Sequence, residues 1–204
     1  HDLGQLKAAV KSYKKTLEIE PNYAEAYNNL GNVFQELKQG DSAIQSYKRA
    51  LEIKPDYVAA QYSLGISLQD LEQFEAAIKC YEMLLVIKPD FVEAHNNLGV
   101  ALLDSDQLND AVKSYKAALK LKPDFVEAIN NLGITYFKLH QLDDAIKCYE
   151  KALNLDPDFA DAHNNIGTVL LELGQLDQAV KSFKAALKIK PEFAEPHYNL
   201  GTAL

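Results

Sequence analysis

The sequence has no tryptophan, one methionine, two cysteines and a single arginine, Arg49, among 204 residues. Each scarcity closes a class of function. Bidentate phosphate recognition relies on guanidinium groups, and one arginine does not supply a cluster of them. The net charge is −8, whereas a nucleic-acid footprint needs a basic patch that displaces phosphate counterions. No nucleic-acid partner is expected. No apolar run approaches the roughly 18 residues of a membrane span, so no membrane partner is expected either. The chain opens on His1-Asp2-Leu3-Gly4, with no start methionine and no signal peptide. It reads as a fragment that begins inside a repeating pattern.

That pattern is the main content of the sequence. Asn28-Asn29-Leu30-Gly31 returns as Asn96-Asn97-Leu98-Gly99, Asn130-Asn131-Leu132-Gly133 and Asn164-Asn165-Ile166-Gly167. Looser copies are Tyr62-Ser63-Leu64-Gly65 and Tyr198-Asn199-Leu200-Gly201, so that a copy appears every 34 residues. Prolines 21, 55, 89, 123, 157 and 191 keep the same period. The register divides the chain into full repeats 24–57, 58–91, 92–125, 126–159 and 160–193, a partial back helix in 1–23 and a partial front helix in 194–204.

Each repeat reads as two helices. Tyr27, Leu30, Gly31 and Phe34 follow helical spacing, and so do Ala43, Ile44, Tyr47, Ala50 and Leu51 after a break at Lys38-Gln39-Gly40. Proline ends the second helix, because the residue before it avoids helical backbone. Asn22 with Glu25, Asp90 with Glu93, Asp124 with Glu127 and Asp158 with Asp161 predict capping boxes at the front helices. Glycine in the front helix costs about 1 kcal/mol against alanine, so its return in every repeat predicts close packing there. Cys80 and Cys148 share one slot two repeats apart, too distant for a disulfide in a stacked array. Unpaired thiols fit a reducing compartment and point to the cytoplasm.

These residues carry a resemblance. Tyr27-x-x-Leu30-Gly31-x-x-Phe34, Ala43-x-x-x-Tyr47 and Pro55 resemble the tetratricopeptide repeat (TPR) family along the whole chain. The resemblance implies an all-α fold: antiparallel helix pairs stacked into a right-handed superhelical solenoid, with the front helices lining its concave surface. It also implies a protein or peptide partner.

A helical wheel separates a second face from the packed one. Glu93, Asn97, Val100 and Asp104 lie opposite Leu98, Gly99 and Leu102. The middle of this stripe is Asn29, Asn97, Asn131, Asn165 and Asn199, broken by Ser63. Asparagine is a poor helix former, yet five of six copies keep it. An amide donates and accepts at once, so a row of amides can hold the backbone of an extended peptide whatever its side chains. Five bonds at about 1 kcal/mol each give roughly 5 kcal/mol, short of the about 8 kcal/mol that micromolar affinity needs. Apolar contact from Ile66, Val100 and Ile134 is expected to add the rest. The row is similar to the TPR arm of the O-linked N-acetylglucosamine transferases, which implies the same role for Asn29, Asn97, Asn131, Asn165 and Asn199. The carboxylate clamp of TPR co-chaperones needs bases on this face, where Lys138 stands alone.

No catalytic motif is present: no Walker loop, no Gly-x-Ser-x-Gly elbow, no cysteine cluster and no histidine pair at i, i+4. His95, His163 and His197 occupy the packing slot of Tyr27 and Ile129. No metal, cofactor or catalytic site is therefore expected. The sequence predicts a non-catalytic scaffold that binds an extended peptide or a partner helix in its concave groove. Its alternatives are a substrate-recruiting arm of a larger enzyme such as a glycosyltransferase, and a structural module that associates head to tail through complementary ends.

Overall fold

The structure is a computed structural model that describes residues 3–203. Among the described residues there are twelve α-helices and no strand: α1 Leu3–Ile19, α2 Ala24–Glu36, α3 Gly40–Ile53, α4 Val58–Asp70, α5 Phe74–Ile87, α6 Val92–Asp104, α7 Leu108–Leu121, α8 Val126–Lys138, α9 Leu142–Leu155, α10 Ala160–Glu172, α11 Leu176–Ile189 and α12 Ala194–Ala203. They form two compact units, 1–106 and 107–204. In the first, each helix from α1 to α6 packs on the next, and α4 also touches α2 and α6. In the second, each helix from α7 to α12 packs on the next, and α10 also touches α8 and α12. The even-numbered front helices thus meet one another, which brings their faces together within each unit.

Small and aromatic slots interlock to make the cores. Ala43, Ala77, Ala111, Ala145 and Ala179 are fully buried, and so are Tyr47, Tyr81, Tyr115, Tyr149 and Phe183 to within 1%. Burying one large apolar side chain contributes about 1.5–3 kcal/mol. The glycine slot exists to admit these rings. A Cβ on Gly31 would stand 2.5 Å from Tyr47 Cε1, one on Gly133 2.5 Å from Tyr149 Cε1, and one on Gly167 2.5 Å from Phe183 Cε1. Burial also pushes the Tyr47 hydroxyl up to about 12 and the Cys80 and Cys148 thiols up to about 11. Both cysteines are unpaired.

Chain punctuation follows from local backbone chemistry. Each back helix stops on the residue before proline: Lys54, Lys88, Lys122, Asp156 and Lys190 all turn extended, near φ −130°. Each front helix stops on a left-handed residue. Lys38, Glu72, Asp106 and His140 have φ between 56° and 60°, and Gly174 has 72°. Paired backbone bonds accompany this turn, as in Lys38 N–H to Gln35 O and Gln39 N–H to Phe34 O, both 2.9 Å. They satisfy carbonyls that the helix end would otherwise leave open.

The predicted capping boxes are absent. The N-cap residues are Tyr23, Phe91, Phe125 and Phe159, with no side-chain cap bond. Asn22, Asp90, Asp124 and Asp158 lie one residue too early, inside the turn that proline starts. Of these aromatics Phe159 packs against the core around Ile129 and Tyr149, whereas Tyr23 is exposed. Glu25, Glu93, Glu127 and Asp161 remain in the first helical turn, where the positive helix end favours them.

Candidate functional site

The stripe read from the sequence lies where the wheel places it, half in solvent. Asn29, Ile66, Asn97 and Val100 are half-buried on the front helices of the first unit, and Asn131, Ile134, Asn165 and Asn199 on those of the second. Ile134 also leans on the core around Ile129 and Tyr149. The preceding asparagines point inward: Asn28, Asn96, Asn130 and Asn164 are at most 9% exposed.

The two asparagines of a doublet do different work. The half-buried one donates its amide to the previous repeat. Asn165 Nδ2 bonds Asn130 Oδ1 at 3.0 Å, Asn199 Nδ2 bonds Asn164 Oδ1 at 3.1 Å, and Asn97 Nδ2 bonds the Tyr62 hydroxyl at 3.1 Å. These bonds stitch neighbouring front helices together, a role that the sequence reading did not include. They use one of the two amide N–H groups of Asn97 and of Asn165, while Asn199 also reaches Thr168 Oγ1 at 3.4 Å. An incoming backbone N–H can use the carbonyl oxygens, although that of Asn97 already accepts from Asn96 Nδ2 at 3.3 Å.

One repeat breaks this stitch. The residue that should reach Asn28 is Ser63, whose side chain is too short. Asn28 Oδ1 is buried and has no hydrogen-bond partner.

In the second unit the stripe opens into a cleft of about 440 Å³. Asn131, Ile134 and Asn165 line it with Glu127, Phe159, Asp161, Phe193 and Glu195, above the buried Asn130 and Asn164. The sequence reading missed the two phenylalanines. Their position two residues before the first-turn acid was visible, but only the start of the helix at the aromatic turns them toward this face. Glu127, Asp161 and Glu195 form no ion pair within 4 Å among the described residues. Elsewhere on the stripe Glu25 meets Lys54 at 3.8 Å, Glu172 meets His140 at 3.8 Å, and Asp70 accepts from Gln35 at 2.5 Å, while Glu93 forms no ion pair within 4 Å among the described residues.

Other sequence-predicted features serve the scaffold. His95, His163 and His197 each place Nε2 against the carbonyl of the proline six residues earlier, at 2.8, 3.1 and 2.9 Å. They tie the helix to its entry turn, and His197 does so as an exposed side chain rather than a packed one. On the outer face Lys147 pairs with Asp144 at 3.0 Å, not with Asp143 four residues back. Both partners are at least half exposed, so the pair contributes little. Among the described residues no group of three or more histidines, cysteines or carboxylates converges in a metal-binding arrangement. No helix there is long and apolar enough to cross a membrane.

Helix pairs of one length, an inward aromatic seated on glycine, and a solvated amide face define a repeat scaffold of the protein-interaction class. The family follows directly. A tetratricopeptide-repeat model matches residues 24–57, and TPR-repeat models match 1–38, 67–106, 101–140, 135–174 and 167–204. The chain belongs to the TPR family, whose members are generally non-catalytic scaffolds for protein–protein interaction, and its fold class is the all-α TPR solenoid. No curated protein matches it. Among solved structures it is similar to MamA, at 30% identity and a TM-score of 0.74, over 81% of this chain and 97% of that one. It shares the fold of YrrB, described as a TPR protein with an unusual peptide-binding site, at 22% identity and a TM-score of 0.75, over 96% and 100% of the two chains. It also shares the fold of a chain in the APC/C hetero-tetramer Cut9–Hcn1, at 22% identity and a TM-score of 0.77, over 99% of this chain and 40% of that one.

Proposed function

We propose that the chain is a non-catalytic scaffold that holds an extended segment of a partner protein against the asparagine-bearing face of its front helices. The observation that carries this reading is the cleft on α8, α10 and α12, where amide, aliphatic and aromatic side chains line one open volume. Asn131 and Asn165 contact the partner backbone, Asn165 through its carbonyl oxygen and the N–H that its bond to Asn130 does not use. Ile134, Phe159 and Phe193 supply the apolar area that hydrogen bonds alone do not. Asn29, Ile66, Asn97, Val100 and Asn199 continue the same chemistry on their own helices. YrrB, a TPR protein with an unusual peptide-binding site on the same fold, supports a peptide as occupant.

Peptides selected from a random library against the full chain test this. Chemical-shift mapping places them on α8, α10 and α12, and Asn131→Ala/Asn165→Ala lowers their affinity about tenfold, the equivalent of roughly 1.4 kcal/mol. Circular dichroism and a denaturant titration of the same variant separate binding from fold, since the lost inter-repeat bond is worth about 1 kcal/mol. Mapping to the back helices, or unchanged affinity in the double variant, overturns the reading.

A further inference from the structure

Four front helices carry a lysine over the aromatic at their start; the two copies without one are Tyr23, preceded by Glu20, and Phe159, which lies in the cleft. Lys54, Lys88, Lys122 and Lys190 hold their ammonium groups 5.1, 5.0, 4.9 and 4.8 Å from the rings of Tyr57, Phe91, Phe125 and Phe193. Of the two uncovered rings Phe159 is the one that lines the cleft, and the residue three before it is Asp156. No ammonium or guanidinium lies over Phe159 among the described residues. Asp156 turns back instead, and its Oδ1 accepts the Asp158 backbone N–H at 3.1 Å.

The occupied copies show what the vacant seat would hold. Lys54 stands between the Tyr57 ring and the carboxylate of Glu25, 3.8 Å from Glu25 Oε1. The residues equivalent to Tyr57 and Glu25 one hundred and two positions on are Phe159 and Glu127, and both line the cleft. Asp161 lines it as well. The resident positive charge has been replaced by a negative one, while the ring and the acid remain. A cation over a ring face is attracted by its quadrupole, and the adjacent carboxylates add to that attraction.

We propose that Phe159, with Glu127 and Asp161, receives a lysine or arginine side chain of the bound segment. This inference rests on the peptide-groove reading and names the chemistry that the groove selects. The partner segment is basic at one position, and the asparagines align its backbone on either side.

Two measurements test it. First, acetyl-trilysine amide is titrated into the full chain with aromatic ring signals followed by NMR. The Phe159 ring responds saturably, Phe125 and Phe193 respond less because their own lysines cover them, and the Nε-acetylated tripeptide gives no response. Asp156→Lys, which restores the side chain found in the four covered copies, abolishes the response. An equal response to the neutral tripeptide, no response at Phe159, or an undiminished response in Asp156→Lys overturns the seat. Second, each lysine or arginine of a library-selected peptide is exchanged for norleucine. One exchange costs about tenfold in affinity, and that cost disappears in the Asp156→Lys background. Peptides that bind the cleft with no dependence on charge overturn the seat and leave the groove reading standing. A Phe159 response to trilysine with no peptide held on these helices overturns the groove reading and leaves the seat.

Discussion

Asparagine at the half-buried slot costs helix propensity and recovers it through a bond to the neighbouring repeat. The bond between Asn165 and Asn130 spans 35 residues of sequence, one more than the period. The doublet itself was legible in the sequence, as was the outward face of its second member. That the first member is the acceptor for the following repeat was not, because it depends on how far two front helices sit apart. Ser63 offers the direct test. Asn28 Oδ1 is buried and unsatisfied, and a buried polar atom without a partner is costly. Ser63→Asn supplies the donor found at Asn165 and Asn199. It should raise stability by about 1 kcal/mol, read as a higher urea midpoint at unchanged slope. An unchanged midpoint would mean that the stitch carries no net stability.

The helices were legible as elements because aromatic, glycine and alanine slots recur at helical spacing in every copy. Their ends were less so. Aspartate and asparagine three residues before an acid match a capping box, but proline-initiated turns shift the N-cap to the aromatic that follows, and the polar side chain never reaches the helix. The opposite end of the front helix hides a different cost. Glu72 has φ 56°, a left-handed backbone that opposes any side chain with a Cβ by about 1–2 kcal/mol. The last full repeat already has Gly174 there, with φ 72°. Glu72→Gly should therefore stabilise the chain by about 1 kcal/mol, less the greater freedom that glycine gives the unfolded chain. Thermal unfolding checks the sign, and a lower Tm would show that the Glu72 side chain contributes more than its backbone strain removes.

Within each unit every helix touches only its chain neighbours, and front helices touch the next front helices. Stability in such an array is a sum of repeat terms and nearest-neighbour interfaces, so damage should stay local. Gly133 provides the perturbation. A methyl group there meets the buried Tyr149 ring at 2.5 Å, and the ring is only 1% exposed and has nowhere to retreat. Overpacking of this kind costs about 1–3 kcal/mol, against a helix-propensity gain of about 1 kcal/mol for alanine. A net loss near 1.4 kcal/mol corresponds to about tenfold faster hydrogen exchange where opening is local. In Gly133→Ala the loss of protection should be largest in α8 and α9, smaller in α7 and α10, and absent in α2 and α3. The same opening would disturb Asn130, Asn131 and Ile134 on α8, so peptide affinity at the cleft should fall with protection there. If α2 and α3 lose protection by the same factor, the chain opens as one cooperative body and nearest-neighbour additivity does not describe it.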